Sequence, residues 1–171
     1  PGIMGVGYSA VIAPENLAAF EADVQAEGFP GFRVHPEGER ALYTSILFLE
    51  PFSGRNLAAF GFDMYSEPTR RQAMQAAASS GQTRVTGAVK LLQETHGEVQ
   101  AGILMYVPVY TSERSLATDS LRNSALKGFV YSPYRMGDLL DGILGEENVR
   151  IDYRLTDITT ADESQLLFQS Y

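Results

Sequence analysis

Tyr43-Thr-Ser-Ile-Leu-Phe-Leu-Glu-Pro51 and, after a short turn, Asn56-Leu-Ala-Ala-Phe-Gly-Phe-Asp-Met64 read as two strand-forming runs with different characters. The first is β-branched and aromatic enough for a buried strand from Leu42 to Leu49, which Glu50-Pro51 ends. Ser53-Gly54-Arg55-Asn56 supplies a turn, so a hairpin is the expected local structure. In the second run the alternation places Phe60, Phe62 and Met64 on one face and Ala59, Gly61 and Asp63 on the other. The second face is nearly bare and carries one carboxylate, a combination that predicts a small-molecule pocket above the sheet.

Outward from that pair, Ser66 is the expected cap of a helix with Pro68 in its first turn and Gly81 closing it. Ala73, Ala76, Ala77 and Ser80 share a small-residue stripe suited to close packing on a sheet. Arg70, Arg71 and Gln75 are assigned to the solvent face, where the Arg pair opposes the helix dipole and hints at a carboxylate nearby. Val85, Gly87, Val89 and Leu91 alternate along a further strand, Ile103, Met105, Val107 and Val109 along the next, and Pro108 marks an edge or strand end.

Before this region, Met4 to Ile12 alternates as a half-buried strand. A helix follows from Pro14, with Leu17, Phe20 and Val24 at helical spacing and Gly28 as its stop. Gly28 to Glu39 is rich in turn formers and leaves room for a short strand at 32 to 35, with His35 in a loop or on the surface. After it, 111 to 125 reads as an exposed connector. Leu126 to Tyr131 is a strand. Ser132-Pro133 opens a helix with an apolar stripe of Met136, Leu139, Leu140, Ile143 and Leu144. Val149 to Leu155 and Leu166 to Tyr171 are strands around a turn at 156 to 163. Short strands in hairpins with isolated helices indicate α+β with antiparallel sheets.

The 171 residues suffice for a real core without staples. A formal net charge of -8 argues against nucleic acid as partner. The absence of cysteine removes thiol catalysis, thiolate metal sites and disulfides, and leaves the compartment open. No apolar run approaches the ~20 residues that cross a bilayer. The start at Pro1-Gly2 suggests processing or excision from something longer. His35 and His96 both fall in loops, neither beside a Gly-flanked Ser, so acyl transfer has no constellation to work with. His96 and Glu98 lack the further ligands that a metal site needs, and Asp138 and Asp141 read as a solvated helix face. No catalysis and no cofactor are expected of this chain.

The motifs Gly61-Phe-Asp-Met64, Ser66-Glu-Pro-Thr-Arg-Arg-Gln-Ala73, Ser80-Gly81, Val85-Thr86 and Val107-Pro-Val-Tyr110, in that order, resemble the CHASE domain. The likeness extends over Pro1 to Gly7, Gly28-Phe-Pro-Gly-Phe, Gly38-Glu-Arg40, Lys127-Gly-Phe-Val130 and the helix from Met136, reaching about Asp157. It implies the periplasmic or extracellular sensor of a receptor histidine kinase or a nucleotide cyclase, anchored in the inner membrane through segments absent from this chain. The implied fold has two PAS-like lobes behind a long N-terminal stalk helix, also absent. The membrane-distal lobe, residues 1 to 110, would hold the ligand; residues 126 to 171 would form the membrane-proximal lobe beyond the 111 to 125 connector. A homodimer in the full-length receptor is implied as well.

In the plant hormone receptors of the family, a carboxylate between strand and helix recognises the adenine of cytokinins. By position Asp63 matches it, Val85 matches a residue that contributes backbone groups, and Thr95 is the nearest match to a further Thr. Tyr43, Phe48 and Tyr106 are the plausible pocket aromatics, with core packing as their other role, and Gly61 lies on the pocket floor. Asp63 either recognises a ligand or caps the helix that starts near Ser66. Buried, it needs water or an Arg to satisfy it. A small-ligand sensor is the expected function; the alternative is a sensor lobe that works through dimerisation or a periplasmic protein.

Overall fold

The computed structural model describes residues 2–92, 101–112, 114–144, 154–160 and 163–169. Its main layer is an antiparallel five-stranded sheet built from β1 (Val6–Ile12), β2 (Tyr43–Glu50), β3 (Arg84–Val85), β4 (Gly102–Tyr110) and β5 (Leu126–Arg135), in the order β2-β1-β5-β4-β3. The helices are α1 (Leu17–Ala26), α2 (Pro68–Ser80), α3 (Asp119–Ala125) and α4 (Met136–Leu144). A separate hairpin pairs β6 (Arg154–Thr160) with β7 (Glu163–Gln169). The chain is α+β, as expected, and the sheet order suits a PAS-like sensor fold.

Alternation assigns each strand a face, and the two faces of β1 and β2 bury two different cores. Ile46, Tyr106, Phe129, Tyr131 and Leu104 pack on one side against Met74, Ala77 and Ala78 of α2. The small-residue stripe expected of α2 is thus used at Ala73 and Ala77, while Ala76 is exposed. On the other side Ile12 and Tyr43 meet Val24 of α1, with Phe32 and Val34 from the following loop.

The second arm of the expected hairpin is not a strand. Residues Gly54–Ala59 form a 3₁₀ helix, Met64–Ser66 form another, and β2 pairs with β1. Between the two turns the chain threads past β2 and the 32–35 loop: Gly61 N donates to Ile46 O, Ile46 N to Phe62 O, and His35 N to Gly61 O. Gly61 has φ +83°, and a Cβ there would lie 2.4 Å from Arg33 O. No bare face overlooks open volume here, because Ala59 belongs to the core and the Gly61 position is filled by a neighbouring carbonyl. His35 is half-buried, its Nε2 3.0 Å from Phe60 O, instead of lying free in a loop.

One of the two proline expectations needs correction. Pro133 continues β5 instead of opening a helix, and α4 begins only at Met136. The proline is tolerated because Leu104, its partner on β4, exchanges hydrogen bonds with Thr86 on the other side, so no ladder bond is lost at Pro133. Pro108 lies where β4 runs past the two-residue β3 and is paired on the β5 side only, an edge position as expected.

The strand at 126–135 lies between β1 and β4, so the boundary drawn at 111–125 does not fall between two sheets; part of that connector is α3. The described residues after β5 form α4 and the β6–β7 hairpin, and Asp157 of β6 accepts a hydrogen bond from Ala88 N at 2.9 Å. The hairpin itself is shifted from expectation, with β6 running through most of the predicted turn to Thr160. Residues 149 to 153 of the predicted strand lie outside the described residues.

Gly61→Ala is expected to destabilise the fold by about 1–3 kcal/mol, since a side chain there is strained in φ and collides with backbone. Gly31→Ala, with open space around it and an ordinary φ, serves as the control and should be nearly neutral. Urea titrations of the two variants decide the point; equal midpoints would remove the need for glycine at 61.

Candidate functional site

Asp63 is fully buried where the chain leaves β2's flank for α2. Its Oδ1 accepts from Thr44 N at 2.8 Å, from Tyr65 N at 3.0 Å and, at 3.4 Å, from the Thr44 hydroxyl. Tyr65 N is shared with Thr44 Oγ1 at 3.1 Å. Asp63 therefore does cap, but it caps the 3₁₀ turn Met64–Ser66; Glu67, and not Ser66, caps α2 by accepting from Thr69 N and Arg70 N. These bonds tie β2 to the segment that launches α2.

The second oxygen of Asp63 is treated differently. Oδ2 lies 3.2 Å from Arg40 Nε, close enough for an ion pair, yet it has no partner in hydrogen-bonding geometry. The Coulombic contact holds without a directional bond, so this oxygen retains acceptor capacity. Arg40 itself is fixed by the loop it sits in. Its Nη1 donates to Pro36 O and Gly38 O, and its guanidinium lies 5.6 Å from the centre of the Tyr43 ring. Tyr43 completes the knot, donating to Gly38 O at 2.9 Å.

Outside Arg40 the chain lines an open-mouthed cavity of about 690 Å³. Arg40, Ala41 and Leu42 form one wall, Tyr65 with Arg71, Gln75 and Ser79 of α2 a second, and Asn123 and Leu126 of the α3–β5 corner a third. The volume is within the range of small-molecule sites, roughly 300–1,000 Å³. Arg71 is half-buried, and its Nη1 donates to Tyr65 O at 2.7 Å. Arg70, expected on the solvent face with it, is only 4% exposed; it lies over the Phe62 ring and donates to Lys90 O.

The residues singled out from sequence separate into groups. Asp63 and Tyr43 meet through Arg40, and Thr44 and Tyr65, which the strand pattern passed over, complete their cluster; Gly61 packs instead against Arg33 and His35. Tyr106 is sealed in the core with its hydroxyl 3.2 Å from Met64 Sδ, one residue from Asp63 but closed off from the cavity wall. Val85 is 52% exposed on β3. Phe48 is 63% exposed and lines a different, apolar groove of about 510 Å³ with Phe29, Phe52 and Phe60 on the opposite face of the sheet. Thr95, His96 and Glu98 lie outside the described residues. Among the described residues no three carboxylates or histidines gather as a metal site.

Three tyrosines surround the buried face. The Tyr65 phenol is pushed up to about 12 by burial and by the Asp63 charge, with Arg71 opposing. Burial raises Tyr106 and Tyr131 as well, against the pull of Arg70.

The family model described as the CHASE domain matches residues 1–168. No curated protein matches the chain.

Two measurements test this geometry. Asp63→Ala strips Thr44 N of its acceptor, leaves Tyr65 N with Thr44 Oγ1 alone and leaves Arg40 facing an apolar hole, so a loss of about 3–5 kcal/mol is expected, the range for breaking a buried pair. Asp63→Asn keeps the Oδ1 acceptor and should cost clearly less; equal costs in chemical denaturation would mean that charge, not the backbone bonds, dominates. The tyrosines set an alkaline limit. Their protons are held more tightly in the folded chain than at the unfolded value of ~10, so their contribution is complete below pH ~10 and is lost as pH rises toward about 12. Denaturation midpoints should be level from pH 8 to 9 and fall above 10, and a flat profile to pH 11 contradicts the assignment.

Proposed function

The chain belongs to the CHASE domain family, and from that premise we propose that it is a small-ligand sensor whose site is the cavity outside Arg40. CHASE domains are extracellular sensor domains of membrane signalling receptors. Among the described residues no helix is long and apolar enough to cross a membrane. The proposed receptor carries its output, a histidine kinase or a nucleotide cyclase such as a diguanylate cyclase, on the cytoplasmic side of an inner membrane, and works as a homodimer.

One observation carries this reading: the cavity wall contains Arg40, the residue that neutralises the buried Asp63. A ligand that draws on Arg40 changes what Asp63 Oδ2 sees, and Asp63 Oδ1 holds β2 to α2. Ligand binding and the local packing are thereby linked through one ion pair, which is how a small contact biases two arrangements of a domain. A ligand with N–H donors, adenine among them, has a second way in, because Oδ2 can accept a bond if Arg40 swings aside.

A second reading rests on Phe29, Phe48 and Phe52, all exposed around the apolar groove on the other face. Contiguous exposed aromatics mark interaction surfaces, so this face suits a second copy of the chain or a periplasmic protein.

Calorimetry of the domain against adenine derivatives, amino acids and small organic acids separates the two. Binding by at least one class, together with altered signalling of the full-length receptor carrying Asp63→Ala or Arg40→Met, is the expected result. If nothing in the panel binds and both variants signal normally, while Phe48→Asp changes output, the groove and not the cavity is the working surface.

A further inference from the structure

We infer that the cavity bounded by the 40–42 loop, α2 and the α3–β5 corner takes an organic anion, a carboxylate on a largely apolar body. The inference rests on the proposed ligand site and adds the chemical class it selects. The wall holds two guanidiniums and no carboxylate, on a chain whose formal net charge is -8. Arg40 is offset by Asp63 behind it. Arg71 is not offset: among the described residues no carboxylate lies within ion-pair distance of it, and its single side-chain hydrogen bond, from Nη1 to Tyr65 O, leaves Nε and Nη2 without a partner among those residues.

A half-buried cation in such a site favours an anion, and two adjacent guanidinium donors match the two oxygens of a carboxylate. Uncharged polar groups flank it, because Gln75, Ser79 and Asn123 occupy the same walls. Asn123 and Ser79 already bond to one another at 3.2 Å, which holds that rim in place. The remainder of the lining, Ala41, Leu42, Leu126 and the ring of Tyr65, is apolar and suits a hydrocarbon or aromatic body. Tyr65 stays a neutral phenol at physiological pH and adds no competing negative charge.

The test uses matched pairs in which only the charge changes: phenylacetate with phenylacetamide, and 4-methylpentanoate with 4-methylpentanamide, with adenine as an uncharged reference. Calorimetry on the wild-type domain should show each carboxylate binding at least tenfold more tightly than its amide, with affinity falling as sodium chloride is raised. Arg71→Gln should remove most of that preference. Because Arg71 also bonds to Tyr65 O, a second variant, Asn123→Asp at the exposed rim, introduces a negative charge with little change of shape. It should weaken the carboxylates by several-fold relative to their amides, so that the ratio within each pair falls. Should adenine or the amides bind as well as the acids, the anion inference falls and the small-ligand reading stands. Should no compound bind at all, both fall.

Discussion

Asp63 buried against Arg40 is the constraint on which the rest of this lobe depends. Removing a carboxylate from water costs several kcal/mol even after relaxation, and a neighbouring charge alone seldom repays it. Here the repayment comes mainly from hydrogen bonds, two backbone N–H groups and one hydroxyl converging on Oδ1. Those donors belong to β2 and to the turn before α2, so the same bonds that make the charge tolerable also fix the helix on the sheet. The ion pair then handles the remaining oxygen, and it does so from the edge of a cavity, where one partner has access to solvent. The stable half of the arrangement faces inward and the adjustable half outward.

The position of that edge follows from the sheet. With β2 and β3 at opposite ends of the order β2-β1-β5-β4-β3, the chain must cross the sheet between them, and 54–80 is that crossing. Met74 and Ala77 press α2 onto Tyr106 and Phe129, which fills the inner face with side chains and leaves the cavity at the flank, between α2, α3 and the loop before β2. Packing density thus decides where a ligand has room.

Much of this was legible in the residues. Period-two alternation located β1 and β4, and β-branched and aromatic content located β2, to within a residue or two, and Gly81 closes α2 with φ +71° as a left-handed stop should. The 56–64 run misled because Phe60, Phe62 and Met64 alternate as a strand does, while a glycine whose φ is +83° and an aspartate that bonds its own neighbours override the pattern. Pro133 misled for the opposite reason. Its strand position is harmless only because Leu104 bonds elsewhere, which is a property of the sheet and invisible along the chain. That a buried Asp63 would need water or an Arg could be argued from solvation alone; that Arg40 would supply it depended on the fold of a turn-rich loop. The exposure of Arg70 was misjudged because its burial is set by the Phe62 ring and the Lys90 carbonyl, neither of which shares its helix.

On the proposed reading, β5 is the element through which occupancy of the cavity would reach the rest of the domain. Leu126, on the cavity wall, is the first residue of β5, and Met136, the first residue of α4, follows its last. Between them runs a ten-residue strand, about 33 Å at the usual rise per residue, clamped on one side by β1 and on the other by β4. The β1 ladder holds its middle, Gly128 to Tyr131, and the β4 ladder runs its whole length with one irregularity beside Leu126. α4 lies at the far end with Ile143 67% exposed and Leu144 also exposed, an apolar terminus that the sheet leaves uncovered. On the proposed reading, a ligand that moves the α3–β5 corner acts on a stiff element whose other end carries the helix leading toward the β6–β7 hairpin. On that reading β5, with the cavity at its beginning and α4 at its end, makes the link between sensing and response a matter of strand order as much as of any single side chain.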